Sequence, residues 1–169
     1  MDVLRRIDPR LGLQFYPDPQ FSWLRRDTVK VNLGEYREFS APGWFQVGPG
    51  KEFSMPVHLL DLRGTADFIY APFVLEKIPS DLLIPALRAW RDSLKNDGNL
   101  CIVIDDDDKR IRLGMPFNRL LADRFVNCGS QVRRLLGEAE FKTIIDIDFR
   151  IFDLCGHEPN YTGFFSFKQ

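Results

Sequence analysis

Cysteine is scarce in this chain, and long apolar runs are absent from it. The 169 residues include three cysteines, Cys101, Cys128 and Cys155, which are odd in number and too far apart to form a recognisable disulfide framework or zinc site. No apolar run approaches the roughly 20 residues that a membrane helix requires, and the N-terminus has no sustained apolar region. We therefore expect reduced thiols, no membrane association and a cytoplasmic location.

An excess of one charge sign is also missing. Lysine and arginine together number 23, aspartate and glutamate 24, and the net charge is −1. This balance gives no overall electrostatic reason to bind nucleic acid or an anionic membrane. No basic stripe accompanies the aromatic residues, so we expect them in the core and in interfaces and not on a platform for stacked bases.

The composition is otherwise that of an ordinary globular protein. The chain is 44% hydrophobic, 28% charged and 13% aromatic, with 15 phenylalanines. A chain of this length can bury a substantial core, so we expect a single domain over residues 1–169. Residues 1–27 contain scattered prolines and aromatic residues without a helix or strand period, which predicts an irregular N-terminal arm.

The clearest local pattern is a strand, a helix and a second strand within residues 67–104. Residues 68–71 form a short apolar and aromatic run, which is typical of a strand. Residues 100–104 are apolar without alternation, which indicates a strand covered on both faces. The whole segment predicts one βαβ unit.

The helix of this unit is marked by its caps and by its apolar spacing. Ser80 can cap the start, and Pro85 would then lie beyond the first turn, which predicts a loose or kinked start. Gly98 can take the left-handed conformation that a C-terminal cap needs. One apolar face is predicted from Leu83, Leu87, Trp90 and Leu94.

Further strand and helix patterns flank this unit. Strands are predicted at residues 28–33, Trp44–Val47, 56–62, 141–149 and 163–167. Helices are predicted at residues 116–125 and, with Ser130 as N-cap, through Leu136. Strands that alternate with helices and end as two adjacent strands indicate an α/β fold. We expect a three-layer sandwich around a mainly parallel sheet with an antiparallel edge.

Two segments of the chain resemble a known enzyme family. Val-Asn-Leu-Gly at residues 31–34 and Pro-Gly-Trp at 42–44 are similar to the first two strands of small class I S-adenosylmethionine-dependent methyltransferases, which carry Leu-Asn-Leu-Gly-Cys-Gly and then Pro-Gly-Trp. Val-Leu-Glu at 74–76 and the segment 94–100 resemble that family's His-Val-Leu-Glu-His motif and its helix ending in Leu-Lys-Pro-Gly-Gly. The similarity covers roughly residues 29–105 and implies a methyltransferase-like Rossmann topology.

The resemblance also implies a site for the cofactor S-adenosylmethionine. In the family, a glycine-rich turn lets backbone approach the methionine part, and an acid after the second strand binds the ribose hydroxyls. The ribose position corresponds to Gly48, and Asp61 corresponds to a residue that faces the adenine amino group. The implied cofactor-binding positions are Leu33, Gly34, Glu35, Tyr36, Gly48, Asp61, Leu62, Ala71 and Phe73.

The sequence departs from the family where the cofactor chemistry lies. Glu35 and Tyr36 replace a cysteine and the second glycine, and Gly48 replaces the ribose-binding acid. Phe73 and Lys77 replace both histidines of the His-Val-Leu-Glu-His motif.

Three functions stay open after these departures. The first is methyl transfer to an unknown acceptor by proximity and orientation. The second is a catalytically inactive binding or assembly protein that has lost cofactor binding and acts through a protein partner or a homo-oligomer. The third is a different small-molecule site in the same crevice, because the fold alone does not decide among them.

The remaining polar residues offer alternatives of lower specificity. The four aspartates at 105–108 are expected in a solvated loop, with a divalent-cation site or a general base as the alternative. His58 is expected as a core or edge histidine, and His157 becomes a general-base candidate only where its loop reaches the site. Asp67 is expected to orient a turn. No catalytic residue and no metal ligand is assigned.

Overall fold

The computed structural model of the chain describes residues 28–34, 44–48, 51, 54–114, 125–150 and 160–168. Strands and helices alternate along these residues, with 3-10 turns at Val57–Leu59 and Leu75–Lys77. In chain order the elements are β1 (Lys30–Leu33), β2 (Trp44–Val47), β3 (Ala66–Pro72), α1 (Leu83–Ser93), β4 (Leu94–Ile104), α2 (Asp107–Arg112), α3 (Gly129–Glu138), β5 (Lys142–Arg150) and β6 (Asn160–Phe167).

The strands form one sheet in the order β2–β1–β3–β4–β6–β5. Strands β1 to β4 pair in parallel, whereas β6 is antiparallel to both β4 and β5. The predicted α/β fold with a mainly parallel sheet and an antiparallel edge is therefore confirmed. Among the predicted strands, only the one at residues 56–62 is absent.

A hydrophobic core joins α1 and α3 to the sheet. Leu87 and Trp90 of α1 and Val132 and Leu136 of α3 are completely buried together with Ile102 of β4. Burying a side chain of this size contributes about 1.5–3 kcal/mol relative to leaving it exposed. The apolar spacing that predicted the helix face thus also identifies the core.

Helix α1 begins later than its sequence predicted. Leu82 is the N-cap, and no side chain caps this end, so the assignment of Ser80 as the cap is wrong. Pro85 consequently lies in the first turn, where a backbone N–H has no acceptor within the helix. The loose or kinked start that was predicted from Pro85 therefore has no physical reason.

Residues 56–62 form a crossover and not the predicted third strand. Only the 18 residues from Gly48 to Thr65 connect β2 to β3. A further parallel strand in this interval would require two crossovers of about 10–12 residues each, which the connection cannot supply. The segment instead makes a 3-10 turn against α1, where Trp90 Nε1 donates to the Val57 carbonyl at 2.7 Å.

Gly98 is required for packing and not for a helix cap. It does not adopt a positive φ, and β4 begins at Leu94, directly after α1. The pairing of β3 with β4 is irregular between Ala66 and Phe68. A Cβ atom at position 98 would lie 3.0 Å from the Ala66 carbonyl oxygen, so only glycine allows this approach.

The polar side chains of β1 are buried, although they alternate with apolar residues along the strand. Lys30 is 4% exposed and Asn32 is 1% exposed. Asn32 Nδ2 donates to Gln46 Oε1 of β2 at 2.7 Å, so β1 and the edge strand β2 share a buried side-chain hydrogen bond.

Helix α3 is held at its C-terminal end by arginines of α1. Arg91 Nη1 donates to the Ala139 carbonyl at 2.9 Å and also pairs with Glu140. Carbonyl groups at a helix C-terminus lack partners within the helix, and Arg91 supplies one.

At its N-terminal end, α3 begins at Gly129 with Cys128 as N-cap, so the assignment of Ser130 as the cap is wrong by two positions.

Three expectations concern residues outside the described ranges. They are the irregular arm at residues 1–27, the helix at 116–125 apart from Phe125, and the loop that carries His157. Among the described helices, none combines the length and the apolar character needed to cross a bilayer.

Asp67 ties β3 to two other strands, as its predicted orienting role requires. Its Oδ2 accepts the backbone N–H of Val29 at 2.8 Å, and its Oδ1 accepts Lys95 Nζ at 2.8 Å. Partial burial by itself would raise the pKa of Asp67. The hydrogen bonds from Lys95 and Val29 and the charges of Lys95 and Lys30 lower the pKa by more than burial raises it, so the pKa lies below its usual value.

Replacing Asp67 by asparagine is expected to lower the free energy of unfolding at pH 7 by about 1 kcal/mol, because Lys95 loses its charged acceptor. The folded-state pKa is depressed, so the contribution is present above the unfolded value of about 4 and is lost as the pH falls through the folded value. Urea unfolding at several pH values should show the difference shrinking below pH ~4. The control Asp61→Asn, at an exposed carboxylate, should change stability by less than about 0.5 kcal/mol; an equal loss would contradict the assignment.

Candidate functional site

The carboxyl ends of β1, β2 and β3 meet at one side of the sheet, which we call the carboxyl edge. Ligands of open α/β sheets bind at such an edge. Five of the predicted cofactor positions, Leu33, Gly34, Gly48, Ala71 and Phe73, lie at these strand ends. Leu33 and Ala71 are completely buried, so they support the edge from within the core.

A cleft of about 250 Å³ opens at the carboxyl edge. Four of its lining residues, Gly34, His58, Phe73 and Lys77, come from three separate segments of the chain. Apolar side chains line the rest of it: Pro56, Val57, Pro72, Val74, Ile78 and Pro79. We call this site the edge cleft.

Gly34 and Gly48 pack closely against each other at the carboxyl edge. The Gly34 N–H donates to the Val47 carbonyl at 2.7 Å, and a Cβ at Gly48 would lie 3.3 Å from three backbone atoms of Gly34. Gly34 has a φ of +91°, and a Cβ there would lie 2.7 Å from Val74 Cγ2. Both positions therefore require glycine for close packing.

Phe73 has a backbone conformation that is unusual for a bulky residue. Its φ is +54°, and its N–H donates to the Val103 carbonyl at 2.8 Å, which extends the pairing between β3 and β4. A left-handed aromatic residue costs of order 1–3 kcal/mol, and such strain clusters at functional sites. The half-buried ring lines the edge cleft.

His58 and Lys77 face the same cleft from the two 3-10 turns. His58 is half-buried and Lys77 is exposed. The expectation that His58 is a core or edge-strand histidine is wrong, because residues 56–62 do not form a strand. Pro56 was the available signal, since proline is disfavoured within a strand.

Asp61 and Leu62 are not among the residues that line the edge cleft, and their assignment to the cofactor stays a prediction. The Leu62 N–H donates to Oγ of Ser93, the last residue of α1 before β4 begins. This contact places residues 61–62 beside the amino ends of β3 and β4. Asp61 Oδ1 accepts the Arg63 N–H at 3.2 Å within an exposed turn.

Glu35 and Tyr36, the two remaining cofactor positions, lie outside the described residues. Their assignment therefore stays a prediction. The site as described consists of the strand ends and the two 3-10 turns.

Asp105 is buried at the end of β4, which contradicts the expected solvated loop. It is 1% exposed, and both of its oxygens accept hydrogen bonds from Arg110, one of them at 2.8 Å. Its N–H donates at 2.8 Å to Oε1 of Glu76, a carboxylate that is itself 2% exposed. The pair joins the end of β4 to the turn after β3.

Asp106 is also buried, and its carboxylate joins three segments. Oδ1 accepts the backbone N–H groups of Asp108 at 3.1 Å and Gly129 at 3.2 Å. Oδ2 accepts the Thr162 hydroxyl at 3.1 Å. Asp106 thereby caps α2 and receives an otherwise unpaired N–H at the start of α3.

The two described cysteines are free thiols. Burial raises the pKa of the Cys101 thiol well above its usual value, so this thiol is inert. Among the residues that the structure describes, no group of three or more histidine, cysteine, aspartate or glutamate side chains is arranged to hold a metal ion.

No protein-family model and no curated protein sequence matches this chain. Solved structures do match it. One is the 1,6-didemethyltoxoflavin-N1-methyltransferase of Burkholderia thailandensis with bound 1,6-didemethyltoxoflavin and S-adenosylhomocysteine, at 16% identity and a TM-score of 0.65, covering 88% of this chain and 74% of that one. Another, an S-adenosylmethionine-dependent methyltransferase of Methanosarcina mazei, has 12% identity and a TM-score of 0.62, covering 92% and 99%.

A third match is a possible exported protein from Bordetella parapertussis, with 15% identity and a TM-score of 0.60. The present chain spans 65% of its length, slightly less than two thirds. At these identities the similarity shows the fold alone. The chain has a class I methyltransferase-like fold, which confirms the resemblance that its sequence indicated.

Replacing Gly34 by alanine is expected to lower the free energy of unfolding by about 1–3 kcal/mol, because the new Cβ meets the stiff Val74 side chain at a left-handed position. The matched control is Gly137→Ala in α3, where nothing lies within 4 Å of the new Cβ. This change should stabilise the chain by about 0.5–1 kcal/mol. Chemical denaturation measures both, and a neutral Gly34→Ala would refute the tight packing.

Truncation of two aspartates of the same run should lower the free energy of unfolding by very different amounts. Asp106→Ala leaves buried donors without acceptors and should cost about 2–4 kcal/mol. Asp108→Ala removes an exposed side chain and should cost no more than about 0.5 kcal/mol. Thermal or urea unfolding compares them, and similar losses would restore the solvated-loop interpretation.

Proposed function

We propose that this chain is a small-molecule-binding protein with a methyltransferase fold, and that its edge cleft works without S-adenosylmethionine. The observation that carries this proposal is the contact between Gly34 and Gly48. Position 48 is where the family resemblance implies a ribose-binding acid. A side chain there would press on the Gly34 backbone, because its Cβ would lie 3.3 Å from that backbone.

Two further observations support the same conclusion. Asp61, the implied adenine contact, lies beside the amino ends of the strands and not at the carboxyl edge. The cleft volume of about 250 Å³ also lies below the range of roughly 300–1,000 Å³ that is usual for ligand pockets. The described residues therefore do not fit S-adenosylmethionine in the way that the resemblance implies.

Methyl transfer from S-adenosylmethionine to an unknown acceptor is the second candidate, and Gly34 favours it. Its φ of +91° at the end of β1 is the glycine conformation that lets backbone approach a ligand closely. The Burkholderia neighbour, which shares the fold, was solved with S-adenosylhomocysteine bound.

A protein partner or a second copy of the chain, and a cytoplasmic location, belong to the proposal as expectations. The free thiols of Cys101 and Cys128 are consistent with a reducing compartment.

Titration calorimetry with S-adenosylmethionine and S-adenosylhomocysteine tests the proposal. No heat of binding is expected for either compound at millimolar concentration, because the ribose and adenine contacts are missing. Thermal unfolding in the presence of the same compounds should likewise show no shift, since only a ligand that binds the folded state raises its stability. Micromolar binding would overturn the proposal and favour methyl transfer.

The variant Gly48→Asp sharpens this test. It introduces the acid that the resemblance implies, but we expect it to destabilise the chain without creating cofactor binding. A gain of S-adenosylhomocysteine binding in Gly48→Asp would show that position 48 can still receive the ribose.

A further inference from the structure

We infer that the edge cleft takes a small organic anion with an apolar body, in the class of aromatic carboxylates, whose charge is bound by Lys77 and His58. This assignment deepens the proposed function and rests on it. It follows from the charges at the cleft, from its apolar walls and from the strained residue between them.

The charges at the cleft are of one kind. Among the described residues that line it, the ionisable side chains are His58 and Lys77, and none is a carboxylate. Neither of these two side chains has a hydrogen-bond or ion-pair partner within the part of the chain that the structure describes. An ammonium group and an imidazole that converge on one cleft provide N–H donors for an anion.

Several other basic side chains of the fold pair with carboxylates. Arg110 pairs with Asp105, Lys95 pairs with Asp67, and Arg91 pairs with Glu140. Each of these cations therefore has a carboxylate from the same chain. Lys77 lies on a turn whose neighbouring acid, Glu76, is directed to the Asp105 N–H instead. Lys77, which is exposed and lines the cleft, is therefore available to bind an external anion.

The walls of the cleft select the rest of the ligand. Prolines and aliphatic side chains form most of its lining, so a ligand must bury apolar surface there. Phe73 adds an aromatic side chain to this lining, and aromatic rings pack favourably on one another. The left-handed φ of +54° places this ring at the cleft at a cost in backbone strain, which is typical of residues kept for ligand contact.

These walls disfavour a highly charged ligand. A phosphate ester would have to be desolvated against prolines and aliphatic side chains with the donors of Lys77 and His58 to compensate it, whereas a carboxylate carries a single charge. The single charge and the apolar lining together favour a monocarboxylate.

Benzoate and benzamide are suitable probes, because they have nearly the same shape and differ in charge. Protein-observed NMR titration at neutral pH gives both dissociation constants, and the amide signals of Gly34, Val74 and Ile78 locate the site. We expect benzoate to bind at least about tenfold more tightly than benzamide, the effect of about one charge-assisted hydrogen bond. Lys77→Gln should weaken benzoate binding about tenfold and leave benzamide binding unchanged.

The control variant is Lys142→Gln, which removes an exposed lysine of β5 that does not line the cleft. It should bind benzoate like the parent chain. Equal affinity for benzoate and benzamide, no binding of either, or equal weakening by both variants would overturn the anion assignment. Micromolar binding of S-adenosylmethionine in a parallel titration would instead overturn the proposed function, so the two failures are distinguishable.

Discussion

The short connection between β2 and β3 is the constraint on which the rest of this fold depends. Its 18 residues must return the chain from the carboxyl edge to the amino edge, because β1, β2 and β3 are parallel. This length allows one crossover and no additional strand. The same path carries His58 past the edge cleft and carries residues 61–62 toward the amino ends of β3 and β4. The length of this connection thus decides which of its residues reach the edge cleft.

Buried carboxylates stabilise the carboxyl edge of the central strands. Glu76, Asp105 and Asp106 are nearly inaccessible to solvent, and they accept hydrogen bonds from Arg110 and from backbone N–H groups. Buried charges are retained when such partners satisfy them, and each partner here lies on a different segment. These residues hold the ends of β3, β4 and α3 together, which keeps the neighbouring cleft in place.

The cleft differs from a methyltransferase cofactor site in a physically consistent way. A Cβ at position 48 would lie 3.3 Å from the Gly34 backbone, a tight contact at the position where the resemblance implies a ribose-binding acid. His58 and Lys77 line the cleft, and the proposed anion site depends on their N–H donors. The class I methyltransferase-like fold supports either chemistry, since function depends on the side chains at the strand ends and not on the sheet.

The sequence by itself determined the local elements. Trp44–Val47 was predicted with its observed bounds, and the apolar spacing of Leu87 and Trp90 identified both α1 and its buried face. These features depend on neighbouring residues, whose periodicity is visible in sequence. The family resemblance also correctly placed Gly34, Gly48 and Phe73 at the strand ends.

Only the tertiary structure decided the rest. Asp105 and Asp106 looked like a solvated run, but their partners include Glu76 and Thr162, 29 and 56 residues away in sequence. His58 was assigned from a strand pattern that the length of the crossover excludes. Long-range hydrogen bonds and the path of the chain set the position of these residues, and neither is encoded in a local pattern of residue types.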